Sequence, residues 1–231
     1  MRLLTHKLVL GAAALLLAAA SSATAQRASS TGATKMLSIG AGFAGGASLL
    51  MDPADNWKVT PVFAWRGTVD ASYPINDVVG AWLSLGLDRR GGDFYWYNDK
   101  DLRERRMVNY FTLTPGINVK GLVLGVNLGF PMGGSRTYQN GSDAGERTLE
   151  LDADADGLSM LIEPRIWGAI PLLDEKIGWL GITIGAGYAL SDMTDDPGFL
   201  PGETDGRTFS SGTASAHLGF VWMFGIPGTA R

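Results

Sequence analysis

The stretch T-A-S-A-H-L-G-F-V-W-M-F, residues 213–224, decides how the chain is read. Its even positions, Ala214, Ala216, Leu218, Phe220, Trp222 and Phe224, are apolar and grow bulkier and more aromatic toward the end. Thr213, Ser215, His217 and Gly219 alternate with them. A sustained period of two makes a strand that meets a different solvent on each face. Its length and aromatic end suit a membrane better than a soluble sandwich, since a tilted spanning strand takes about 9–11 residues.

The same alternation recurs along the chain. Residues 36–50 set Leu37, Ile39, Ala41, Phe43 and Leu49 against Ser38, Gly40, Gly42 and Ser48. Residues 60–73 set Phe63, Trp65, Val69, Ala71 and Tyr73 against Arg66, Thr68, Asp70 and Ser72. Residues 79–88 put Leu83, Leu85 and Leu87 on one side and Trp82, Ser84 and Asp88 on the other. Two more strands follow at 108–119 and 122–130, joined by Lys120-Gly121. Residues 158–170 place Met160, Ile162, Ile166 and Ile170 outward, and Ser159, Glu163, Arg165 and Trp167 inward. A seventh strand is expected at 179–190, and 213–224 is the eighth.

The connections between them run medium (51–56), short (74–77), long (89–106), very short (120–121), long (131–157), short (171–178) and long (191–212). Short turns on one side and long loops on the other, with both ends of the chain on the turn side, describe an all-β, eight-stranded, antiparallel up-and-down transmembrane barrel. A soluble lipocalin-like barrel would want an apolar lumen and would not need an apolar outer face on every strand. Here the expected lumen holds Arg66, Asp70, Asp88, Glu163, Arg165 and His217.

The beginning of the chain reads as an export signal. Arg2 and Lys7 precede an apolar run at 8–20, and Ala23-Thr24-Ala25 forms a small-residue cleavage site before Gln26. The expected organisation is a signal peptide at 1–25, a flexible periplasmic lead-in at 26–35, a barrel at 36–224 and a short tail at 225–231. There is no cysteine, so disulfides contribute nothing to stability. The formal net charge of −4 and the lack of a basic patch speak against a nucleic-acid partner. Abundant glycine (32 residues) alongside aromatics, with no helical period, fits a barrel in which every second residue is apolar.

Taken together, the signal peptide, the eight alternating strands, the Gly-rich lumen and the ending L-G-F-V-W-M-F resemble the small outer-membrane β-barrel family of the OmpX-like and PorT-like kind. The resemblance covers the whole mature chain. It implies residence in the bacterial outer membrane, with membrane lipid and the barrel-assembly machinery as partners, and a terminal aromatic strand (Phe220, Trp222, Phe224) read during insertion. Many such barrels stop at that aromatic, whereas here Gly225-Ile-Pro-Gly-Thr-Ala-Arg231 follows Phe224.

Four groups of residues could carry chemistry. An eight-stranded barrel has an interior just wide enough for side chains to fill. Charges there should therefore pair, either as a plug or as the lining of a narrow gated pore. Asp152-Ala-Asp154-Ala-Asp156-Gly157, followed after five residues by Glu163, matches the calcium-loop expression of an EF-hand. Alternation through 158–162 and Pro164 right after the glutamate argue against the flanking helix such a loop needs. Weak calcium binding by Asp152, Asp154 and Asp156 is the alternative to a solvated acidic loop, and no other cofactor is expected. Ser215 and His217 share a face with Glu163 and invite a hydrolase reading, but residues two apart on a strand sit nearly 7 Å apart, too far for nucleophile activation. Phe94-Tyr-Trp-Tyr97 reads as an extension of an aromatic girdle or as an exposed contact patch. The expected role is non-enzymatic: membrane structure, or contact with an extracellular ligand or surface through the long loops. Binding or passage of a small solute, hydrophobic ones included, is the runner-up, and a lipid-modifying enzyme comes third.

Overall fold

A computed structural model describes residues 37–52, 57–96, 99–140, 145–175, 178–193 and 210–226. The expected signal peptide (1–25), the lead-in (26–35) and all but the start of the tail lie outside the described residues. Ten strands are present: β1 (Ser38–Asp52), β2 (Trp57–Thr60), β3 (Val62–Pro74), β4 (Val79–Trp96), β5 (Asp99–Val119), β6 (Leu122–Asn140), β7 (Arg147–Leu151), β8 (Leu161–Glu175), β9 (Gly178–Tyr188) and β10 (Ser210–Gly225).

Eight of them close a ring in the order β1-β3-β4-β5-β6-β8-β9-β10, every neighbouring pair antiparallel. Closure runs through β10, which pairs Ala41 with Trp222 on the β1 side and Trp222 with Leu180 on the β9 side. No edge strand is left in the ring to recruit another chain. The short strands β2 and β7 pair only with the upper parts of β4 and β6.

Side-chain placement is the reverse of a soluble protein's. Phe63, Leu83, Leu85, Phe111, Ile117, Leu218, Phe220 and Trp222 are exposed, while Asp88, Arg90, Glu163 and Arg165 are buried. Charged residues are hardly ever fully buried unless paired, and a wide apolar exterior is costly in water. Both features suit a barrel with lipid outside and a polar interior. On β4 the apolar outer positions run from Val79 to Leu87, about the length of a tilted spanning strand. No helix among the described residues is long and apolar enough to cross a membrane.

The turns at the lower end are tight. Lys120 and Gly121 both have positive φ (49° and 89°) between paired Val119 and Leu122, a two-residue hairpin of the primed kind that matches strand twist. At 74–77 the Asn76 side chain accepts from the backbone N–H groups of Val78 and Val79 (2.8 and 2.7 Å).

The upper ends differ from expectation. Of the stretch 89–106, expected to be a long polar loop, residues 89–96 and 99–106 are strand: β4 continues to Trp96 and β5 starts at Asp99. The polar stretch 131–157 is likewise mostly strand, with β6 reaching Asn140 and β7 folding back on it. Beyond the lipid belt the outer face has no reason to be apolar, so the alternation that marks a strand in sequence disappears although the ladder continues. The eighth ring strand begins at Ser210, the sixth at Leu161 rather than 158, and the seventh ends at Tyr188 rather than 190.

Candidate functional site

The lumen is filled in layers. At the level where the lipid belt ends, Asp88 and Arg90 of β4 meet Glu163 and Arg165 of β8. Arg90 grips both carboxylate oxygens of Glu163 (Nη1 to Oε1 2.7 Å, Nη2 to Oε2 3.1 Å) and reaches Asp88 Oδ2 at 2.5 Å. Arg165 Nη2 lies 2.6 Å from Glu163 Oε2 and 3.1 Å from Asp88 Oδ2. Asn127 Nδ2 and Ser215 Oγ also donate to Glu163, at 3.1 and 2.8 Å. Two cations and two anions therefore neutralise one another out of water, with Glu163 as the hub. Buried pairs are costly unless further hydrogen bonds satisfy their remaining polar atoms; Asn127 and Ser215 do this for Glu163, while Asp88 Oδ1 has no partner among the described residues. Gly187 of β9 makes the room: a Cβ there would fall 2.2 Å from Glu163 Oε1.

Above this layer sits an apolar plug of Leu50, Phe94, Val108, Tyr110 and Leu161. Beside it, Glu104 takes Arg106 (2.5 Å) and Arg136 (2.9 Å). Phe94 is fully buried, which removes it from the girdle or exposed patch expected at 94–97: its alternation within β4 turns it into the lumen, while Tyr97 lies outside the described residues. On the outer face at this height Asp93 is clamped by Arg103 and Arg105. That hydrogen-bonded carboxylate raises the Arg103 pKa further above its ordinary value. Charged side chains on the outside mark the end of the apolar belt.

Below the ionic layer, Trp82, Val123, Trp167, Val221 and Met223 form a second apolar group, with Trp82 and Trp167 edge to face at 6.3 Å. Between the two lie Arg66, Asp70 and His217. Asp70 forms no ion pair among the described residues; it accepts from the Thr68 hydroxyl (2.8 Å) and from Ser84. Arg66 faces Asp88 across the β3–β4 ladder, yet Asp88 is engaged by Arg90 and Arg165 instead. His217 is buried, and its Nε2 has no partner among the described residues.

The six lumen residues singled out from sequence thus fall into two sets: Asp88, Glu163 and Arg165 in the ionic layer, and Arg66, Asp70 and His217 beneath it. Arg90, the most buried cation among the described residues, was missed because it lies beyond Leu87, where the outer face stops being apolar. Its signal is period two carried on from Asp88.

Two motifs are not realised as chemistry. The Ser215 hydroxyl donates to Glu163 rather than to His217. The EF-hand expression falls between β7 and β8 rather than between helices, and Glu163 points into the lumen. At 152–157 the acidic side chains serve the turn. Asp152 Oδ1 accepts from the N–H groups of Asp154 and Ala155 (2.9 and 3.0 Å), and Asp156 Oδ2 accepts from Asp152 N (2.6 Å). The backbone N–H groups of Ala155 and Asp154 hold the Asp152 carboxyl below the usual carboxylate range. Asp154 is exposed. Phe220, Trp222 and Phe224 line the outer face of β10, with the last two rings 4.6 Å apart.

No known sequence family matches the chain, and no characterised protein sequence does. Among solved structures it is similar to Neisserial surface protein A (9% identity, 82% of this chain and 97% of that one, TM-score 0.38). It is also similar to Ail, the attachment invasion locus protein of Yersinia pestis, in complex with the heparin analogue sucrose octasulfate (13%, 82% and 99%, TM-score 0.40). A third is the outer membrane protein OprG from Pseudomonas aeruginosa (12%, 83% and 94%, TM-score 0.29). The chain's own ladder, closed by β10 with apolar residues outside and charges inside, is that of an eight-stranded, up-and-down transmembrane β-barrel.

Proposed function

We propose that the chain is an integral outer-membrane protein without enzymatic activity, a closed barrel that carries a contact surface on the strand extensions above its lipid belt. The contrast between a blocked lumen and projecting hairpins supports this reading. The ionic layer and the apolar plug above it fill the lumen among the described residues, while β4 and β5 continue well past the apolar belt with charged outer faces. Membrane lipid meets the belt, the barrel-assembly machinery meets the aromatic face of β10, and an extracellular ligand or surface meets the extensions. Contact here differs from that expected of flexible loops, because a hydrogen-bonded hairpin presents its side chains already ordered.

Two measurements test it. Purified protein in planar bilayers should show no single-channel steps. Shortening the β4–β5 hairpin to a turn between Gly91 and Met107 should leave the barrel inserted and abolish adherence of expressing cells to a partner surface. Conductance by the intact protein, or adherence unchanged by the trimming, sinks the reading.

A further inference from the structure

The lower lumen holds a cavity of about 70 Å³. By the room one water needs, that is space for a few waters or one small organic ion. Its walls bring together Arg66 of β3, Arg165 of β8 and His217 of β10, with Trp82, Trp167 and Trp179 around them. Arg165 of the ionic layer lines its upper part, and Trp179, at the foot of β9, places its lower part toward the turn-bearing end.

The donors in this cavity are not used up by the protein. Arg165 and His217 are 5% and 7% exposed, and Nε and Nη1 of Arg165 and Nε2 of His217 have no partner among the described residues. Arg66 forms no ion pair among the described residues. Buried donors of this kind are costly unless something accepts from them, and a charged acceptor returns the most. The wall also carries one carboxylate, Asp70, whose two oxygens are engaged by Thr68 and Ser84. That charge disfavours a dianion. The three indoles offer an apolar wall that an inorganic ion would not use.

We propose that this pocket binds a small monocarboxylate, its carboxylate between Arg66 and His217 with Arg165 behind, its short hydrocarbon part against the tryptophans. This goes beyond the surface-contact role and does not depend on it.

The test uses the full chain refolded in detergent, titrated with acetate against chloride and phosphate at equal ionic strength. Indole fluorescence and the line width of carbon-13-labelled acetate are the readouts. Acetate should give a saturable change, with dissociation in the millimolar range, that chloride does not. Arg66→Gln should weaken it by about tenfold or more, Arg66→Lys should weaken it less, and Arg147→Gln on exposed β7 should leave it alone. Heat-dependent gel migration reports whether each variant is folded. If Arg66→Gln does not fold, the labelled-acetate titration of the unaltered chain decides. No saturation by about 100 mM acetate, tighter binding of phosphate, equal binding of chloride, or a folded Arg66→Gln that binds normally each overturns the proposal.

Discussion

Glu163 concentrates the residue-scale argument. It accepts from Arg90, Arg165, Asn127 and Ser215 in one buried layer. Removing one member of such a set leaves an uncompensated buried charge, a larger loss than the net worth of the pair. Glu163→Gln is expected to destabilise the barrel by about 3 kcal/mol in urea titrations of vesicle-embedded protein. Combining Glu163→Leu with Arg90→Leu leaves Asp88 and Arg165 as a neutral pair, and should cost clearly less than either single change. A double-mutant cycle showing simple additivity would refute the hub. Gly187→Val should also destabilise, since its side chain would enter the space Glu163 fills. Arg66, Asp70, Asp88, Glu163 and Arg165 were legible as inward alternation in sequence; their partners were not, because pairing depends on which strands the closed ring makes neighbours.

At the scale of the element, the strongest local signals were turns. Lys120-Gly121 reads directly as a two-residue hairpin, and the structure adds that Lys120 sits in the left-handed region at φ 49°. A residue other than glycine is strained there, while asparagine visits that region more readily. Lys120→Asn should therefore raise stability by about 0.5–1 kcal/mol, measured in the same titrations. The turn at 152–157 has a pH dependence of its own. Asp152 is held below its ordinary range by two backbone N–H groups, so its contribution is present above the unfolded carboxylate value. It is lost as pH falls through the depressed value. Amide exchange at Asp154 and Ala155 should accelerate on acidification through that range; an unchanged rate would show the turn holds without the carboxylate. Strand ends were the weak point. Residues 89–96, 99–106 and 131–140 lie in strands whose outer faces meet water, so neither side needs to be apolar and the periodic signal fades.

For the whole molecule, the solvent outside sets the rules. Leu83 lies near the middle of the apolar run on β4, whereas Tyr95 projects beyond it. Leu83→Arg should impair stability in vesicles by about 2–4 kcal/mol, and Tyr95→Arg by less than about 1 kcal/mol. Equal costs at the two positions would mean that the belt does not end where the outer charges of Asp93, Arg103 and Arg105 begin. Comparing the same pair in a small-headgroup detergent would show how much of the difference belongs to the bilayer.

Sequence by itself determined the strand faces, the tight turns and the closing role of residues 213–224, because period two is local and each face answers to its own solvent. It also determined that charges would occupy the lumen. Only the tertiary structure decided that Arg90 joins Asp88, Glu163 and Arg165 in one layer, that Phe94 turns inward, and that Arg66 and His217 share a cavity. Those outcomes rest on ring closure and register, which bring β3, β4, β8, β9 and β10 around a single narrow interior. Neighbours across that interior come from strands far apart in sequence, and no local pattern records their spacing.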